Sequence, residues 1–262
     1  MIERARKGIS TWVKSRPRLY RHVFSLRHLR HLYRSVGGEL ELAESDLFLH
    51  ELPQRKEFFR RAFQYLAFNQ IEGDYAEFGC FGAMTFRVAW SASRIVDYRT
   101  HLWGFDSFDG LPATDNPKDQ HPRWTANWLS TSAEDFDELC RSAGLARDDY
   151  TTVSGYYEDS LRLGAEGARP ERISFAYVDC DLYSSTVDVL SFLETRLVPG
   201  SVVGFDDWFC YSPKGPSGER LAALEHFANS QWSLVPFVQY GWHGMSFLVE
   251  ETASVPPPVG PW

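Results

Sequence analysis

Apolar residues recur at helical spacing over residues 54–70, where Phe58, Phe59, Ala62, Phe63 and Leu66 fall on one face. From residue 74 the pattern changes to short apolar runs alternating with amphipathic stretches. Tyr75–Cys80 reads as a strand ending in the glycines Gly79 and Gly82. Met84, Val88, Ala92 and Ile95 follow at helical spacing, and His101–Asp106 reads as a second strand. A loop rich in Gly and Pro comes next, with Gly110, Pro112, Pro117 and Pro122, then a helix near Ala133–Ala143. Thr151–Ser154 is a third strand. Ile173–Asp179, nearly all apolar, is a fourth with both faces buried. Val187, Leu190, Leu193 and Leu197 mark a helix that Pro199-Gly200 ends. Ser201–Phe205 is a fifth strand, Glu219–Asn229 a helix, and two last strands lie near Leu234–Gln239 and Met245–Glu250.

Strands alternating with helices predict an α/β fold with a doubly wound, mostly parallel sheet. Residues 1–53 read as helical pieces broken at Pro17 and Gly37-Gly38. Residues 54–254 form the main domain, and 255–262 a Pro-rich extended tail. Composition supports a folded chain: 44% of residues are hydrophobic and 24% charged, which excludes wholesale disorder. No apolar run approaches the roughly 20 residues that span a bilayer. The four cysteines (Cys80, Cys140, Cys180, Cys210) form no close pair, so a reducing, cytoplasmic setting is expected.

The net charge of -8 is unevenly spread. Residues 1–40 carry ten Lys and Arg against only Glu3 and Glu39, leaving an acidic body. The basic arm could meet a membrane surface or another anionic partner, or pack on its own acidic domain. Nucleic acid is a poor partner for such a body, which would repel phosphates.

In doubly wound sheets ligands bind outside the carboxyl ends of the strands. Here those ends carry Glu77-Phe78-Gly79, Asp106-Ser107, Asp179-Cys180-Asp181 and Asp206-Asp207. The glycine turn lets a ligand approach the backbone, and the helix N-terminus after it attracts an anion. Its spacing is not the dinucleotide fingerprint. Glu77 beside that turn suits a ligand with an ammonium or sulfonium charge. Asp106 is placed to accept hydrogen bonds from a ribose diol, or else caps a turn. Asp179, Asp206 and Asp207 offer hard oxygen ligands suited to Mg²⁺, Ca²⁺ or Mn²⁺. Asp181 is expected to cap the helix that follows it. His121, after the Pro-rich loop, and His243, in the turn before the last strand, are candidate general bases; His22, His28 and His31 read as surface residues.

The runs EFG at 77–79, GFDSFDGLP at 104–112, DCDLYSST at 179–186 and LVPGSVVGFDDW at 197–208 resemble the macrocin O-methyltransferase (TylF/MycF-like) family. The resemblance covers roughly residues 54–250. It implies a class I methyltransferase, Rossmann-like, seven-stranded sheet whose last strand is antiparallel. It implies a sugar O-methyltransferase dependent on S-adenosylmethionine and Mg²⁺, acting on a sugar-containing natural product, lipid-linked sugar or polysaccharide, and a homo-oligomer. By motif, Glu77, Phe78, Gly79 and the turn to Thr85 would hold the methionine part of the cofactor. Asp106 and Ser107 would hold its ribose, and Gly155 and Tyr156 would flank the adenine. Asp179, also beside the cofactor, would ligate the metal with Asp206 and Asp207, and the base would be Asp179, His121 or His243. The chain departs from the family at Ala83-Met84-Thr85, where Gly-Gly-Ser is common, and at Gly200-Ser201, where Gly-Gly is. Three alternatives stay open on these residues: a phenolic or catechol-type methyltransferase, a metal-dependent glycosyltransferase using the D-x-D of residues 179–181, and a binding module without turnover.

Overall fold

The computed structural model describes residues 39–252 except 123, 163–166 and 213–214; for 39–50 and 211 it describes the backbone alone. The basic residues of the arm, its three histidines and the Pro-rich tail lie outside the described residues. The elements run α1 (Glu39–Asn69), β1 (Asp74–Phe78), α2 (Met84–Ile95), β2 (Leu102–Asp106), α3 (Ala133–Ser142), β3 (Tyr150–Ser154), α4 (Tyr157–Ser160), β4 (Ile173–Val178), α5 (Tyr183–Leu193) and β5 (Leu197–Phe205). A small hairpin of β6 (Tyr211–Ser212) and β7 (Gly215–Pro216) follows, then α6 (Gly218–Phe227), β8 (Trp232–Tyr240) and β9 (Gly244–Glu251).

Among the described residues, seven strands form one sheet in the order β3-β2-β1-β4-β5-β9-β8. The first five pair in parallel, and β9 runs antiparallel to both of its neighbours. Strand alternation divides the side chains between two cores. Ala76, Phe78, Ala176 and Val178 join Leu190, Leu193 and Ala222 beneath α5 and α6. Tyr75, Phe175 and Tyr177 join Phe58, Phe59, Phe63, Phe86 and Phe136 beneath α1, α2 and α3. Each buried phenylalanine contributes about 1.5–3 kcal/mol of transfer free energy, so the aromatic stripe of α1 is a principal anchor of that face. The approach is close. A Cβ on Gly204 of β5 would lie 2.9 Å from Cζ of Phe58, so only glycine lets the ring settle on the strand.

The boundary expected after residue 53 falls inside α1, which passes through Pro53 without ending. A proline removes one rung of the helical ladder, and the Phe58–Leu66 stripe holds the helix to the sheet beyond it. The helix expected to reach Leu197 stops at Leu193, and β5 begins at Leu197, ahead of Pro199-Gly200. An irregularity in the β4–β5 register between Ile173 and Phe175 accommodates that dipeptide within the strand.

Candidate active site

The carboxyl ends of the parallel strands open onto a cavity of about 810 Å³, within the roughly 300–1,000 Å³ of small-molecule sites. Gly79, which leaves β1, has φ +92°, and a Cβ there would lie 1.8 Å from the carbonyl oxygen of Asp179. The β1 turn and the end of β4 therefore touch backbone to backbone, which only glycine permits. Asp106 ties this turn to the next loop. Its Oδ2 accepts from the Cys80 N–H at 2.6 Å and its Oδ1 from the Phe108 N–H at 2.7 Å. Burial raises its pKa, against the pull of those two bonds. Both oxygens keep a lone pair for a ligand hydroxyl.

Of the residues singled out from sequence, Gly79, Thr85, Asp106, Ser107, His121, Gly155, Tyr156, Asp179, Asp206, Asp207 and His243 line this one cavity. Glu77 and Phe78 are fully buried and are not among its lining residues. Phe78 points into the α5 side of the core and stacks on Phe105 with centroids 4.8 Å apart. Glu77 shares the other face of β1 with Tyr75, because they are two residues apart on a strand. Its carboxyl accepts from Thr85 Oγ1 at 2.7 Å and from the Tyr75 hydroxyl. Burial without a cation pushes its pKa up to about 8. Glu77 thus supports the turn from beneath through Thr85.

The acidic groups gather beside Gly79. Asp207 belongs to two sets of potential ligand atoms that fall within 4.8 Å of one another: Asp206–Asp207–His243 and Asp179–Asp207–Glu219. Asp179 is half-buried, while Asp206, Asp207 and Glu219 are buried. Burial first, then neighbouring carboxylates, raises the pKa of Asp179, Asp181, Asp207 and Glu219. Glu219 also accepts two backbone hydrogen bonds, to Oε1 from the Cys180 N–H at 3.0 Å and to Oε2 from the Asp207 N–H at 2.9 Å. One side chain of α6 thereby joins the loops after β4 and β5.

Asp181 does not cap α5. It takes a left-handed φ of +61° and hydrogen-bonds Asp207. The helix is capped from elsewhere in the chain. Asp119 accepts from the Ser184 N–H at 2.8 Å, and its other oxygen accepts from Ser184 Oγ and Thr114 Oγ1, each at 2.7 Å. This clips the 110–130 loop to the helix. The loop brings His121 to the cavity, stacked on Trp124 at 4.4 Å, with Trp128 5.9 Å further on.

His243 is held on both nitrogens. Nδ1 lies 2.5 Å from the Asp206 carbonyl oxygen. Nε2 lies 3.3 Å from Nη2 of Arg55 and 3.7 Å from Oε2 of Glu51, both on α1. Nη2 of Arg55 also donates to Asp206 Oδ2 at 2.7 Å, and the Tyr177 hydroxyl donates to Oδ1 at 2.5 Å. Arg55, Glu51, Asp119 and Glu219 are the site residues that sequence reading missed. Two carried a signal. Arg55 precedes Phe58 and Phe59 by three and four positions, and Glu219 precedes Ala222 and Ala223 likewise, so each places a charge in register with a buried stripe.

Five parallel strands, an antiparallel β9 inserted before β8, and a ligand cavity beside the glycine turn after β1 define the class I methyltransferase fold. Solved structures share it, two of them as follows. The O-methyltransferase NovP matches with a TM-score of 0.59 and 24% identity over 74% of this chain and 79% of that one. The calicheamicin methyltransferase CalS11 matches with 0.58 and 20% identity over 88% and 84%. The family model described as macrocin-O-methyltransferase (TylF) matches residues 53–230, and the chain belongs to that family. It is 32% identical over 117 residues (43% of each chain) to the 8-demethyl-8-(2,3-dimethoxy-alpha-L-rhamnosyl)-tetracenomycin-C 4'-O-methyltransferase of Streptomyces olivaceus. It is 31% identical over 147 residues to the mycinamicin III 3''-O-methyltransferase of Micromonospora griseorubida, covering 53% of this chain and 56% of that one. The chain spans about half the length of the curated relatives it matches. Among the described residues no helix is long and apolar enough to cross a membrane.

Proposed function

We propose that the chain is an S-adenosylmethionine-dependent O-methyltransferase that methylates a sugar hydroxyl with the help of Mg²⁺. The observation that carries this reading is the contact between the Gly79 turn and Asp179. It joins the glycine turn to the carboxylates on the wall of one cavity of about 810 Å³, which supports transfer from a bound donor to a chelated hydroxyl. Gly79, Thr85, Asp106, Ser107, Gly155 and Tyr156 would hold the cofactor, which supplies the methyl group. Glu77 would act on it through the turn rather than by touching it. Asp106 would take the ribose on the lone pairs that its two backbone bonds leave.

The donor set fits a hard divalent cation. Asp179, Asp206 and Asp207 would be its oxygen ligands: Asp207 lies near Asp206 and His243 on one side and near Asp179 and Glu219 on the other, and the repulsion on Asp179 is only partly offset by Arg55. Bound Mg²⁺ would supply a Lewis acid that lowers the pKa of the acceptor hydroxyl. The proton then goes to a base on the cavity wall. His243 is poorly free for this, since Nδ1 faces the Asp206 carbonyl oxygen and Nε2 faces Arg55. Asp179 and His121 remain for the role. His121 stacked on Trp124, with Trp128 tilted beside them, would offer flat aromatic surface to a pyranose ring. The names of the relatives, which act on glycosylated natural products, support a sugar acceptor over a phenolic one. Family membership weighs against the glycosyltransferase reading.

Calorimetric titration of S-adenosylhomocysteine, with and without Mg²⁺, tests the reading. Binding that does not need the metal is expected. Absence of binding under both conditions would overturn it and turn attention to nucleotide-sugars with Mn²⁺.

A further inference from the structure

We propose that Arg55 is a resident counter-cation of the carboxylate cluster, one that a divalent metal must displace from Asp206 before it can bind. The inference rests on the metal reading above and adds to it a residue of α1. Both oxygens of Asp206 are engaged, Oδ1 by the Tyr177 hydroxyl at 2.5 Å and Oδ2 by Arg55 Nη2 at 2.7 Å. The pair is well shielded from water, with the Arg55 side chain 13% exposed and that of Asp206 7%. An arginine cannot lose its proton to make room for another cation. Its charge, on one oxygen of a carboxylate that a metal would use, opposes a second cation in a medium of low dielectric. Each Asp206 oxygen keeps a further lone pair, so it is charge repulsion that sets metal and guanidinium against each other on this carboxylate.

Arg55 has somewhere to go. Glu51 stands four residues earlier on α1, with Oε2 3.7 Å from His243 Nε2, the same nitrogen that Arg55 approaches at 3.3 Å. An acid four residues N-terminal to a basic residue is the favourable order for an ion pair along a helix. Arg55 can thus turn from Asp206 to Glu51 past His243 Nε2 and stay within the site. The bare cluster would bind metal more tightly than the native one. The native one keeps its repelling carboxylates quiet while no metal is present.

The test uses the full chain and Mn²⁺, with free Mn²⁺ followed by electron paramagnetic resonance. Wild type, Arg55→Gln, Arg55→Lys and Glu51→Gln are compared, and cooperative thermal unfolding checks that each variant is folded. Arg55→Gln is expected to bind Mn²⁺ at least tenfold more tightly than wild type. Arg55→Lys, which keeps the charge on a shorter side chain that reaches less far than Nη2 toward Asp206, is expected to gain a few-fold. Glu51→Gln is expected to bind a few-fold more weakly, having lost the alternative partner. Equal or weaker binding by both Arg55 variants, with wild type still binding, would overturn this proposal and leave the metal reading standing. Should Arg55→Gln fail to fold, Arg55→Lys decides by the same criterion. No Mn²⁺ binding by any of the proteins would overturn the metal reading and this proposal with it.

Discussion

Glu77→Gln should remove a pH dependence that the wild-type fold carries. Glu77 is wholly buried, receives hydrogen bonds from two hydroxyl groups, and its pKa rises from 4.5 to about 8. A carboxyl raised on folding stabilises the fold fully below its unfolded pKa, and the contribution is lost as pH rises through the folded value. The window therefore runs from about 4.5 to about 8. Within it one extra proton is bound by the folded state, worth about 1.4 kcal/mol per pH unit. Glutamine reproduces the neutral acid. Its carbonyl can accept from Thr85 and its amide can donate to the Tyr75 oxygen. Urea unfolding of both proteins at pH 5.5 and pH 7.5 isolates the effect, because the other carboxylates are common to the pair. The variant should gain about 2.7 kcal/mol on wild type between the two pH values, roughly 1 M in urea midpoint. Parallel stability curves would refute the buried, proton-holding Glu77 and restore it as a charged group.

Glu219→Ala leaves the Cys180 and Asp207 N–H groups without their acceptor, at about 1–3 kcal/mol each, less some relief of repulsion with Asp207. A net loss of about 2–5 kcal/mol is expected, seen as a fall in Tm of roughly 5–15 °C; a shift under 1 °C would contradict the bridging role. Asp119→Ala removes the cap of α5 and the clip on the 110–130 loop. It should cost about 2 kcal/mol and speed limited proteolysis within that loop, whereas an unchanged cleavage pattern would show that the loop is held by other contacts.

Much of this site was legible because a parallel sheet places its chemistry at strand ends. The apolar runs before Gly79, Asp106, Asp179 and Asp206 located those ends, and the structure brings all four residues to one cavity. Glu77 was legible as an acid near the end of β1, where a ligand contact was expected; strand alternation, countable from Tyr75, turns its side chain toward Thr85 of α2. Asp181 was legible as a polar residue near a helix start and not as the partner of Asp207, since that pairing depends on two loops meeting in space. The trans cap from Asp119 lies 65 residues from Ser184, beyond any local pattern. Arg55 and Glu219 were open to discovery as charges set into apolar stripes, yet their partners come from β5 and the loops around it, which no periodicity names.

The reversed strand β9 carries the chain away from the cavity. Met245 pairs with Phe205 at the cavity edge, whereas Leu248 pairs with Val202, further toward the start of β5. The chain enters β9 beside His243 and leaves it at Glu251, on the far side of the sheet from the cavity mouth. The C-terminal end of β9 therefore lies at the end of the strands opposite the one that carries the cavity, and a change made there leaves the cavity wall untouched.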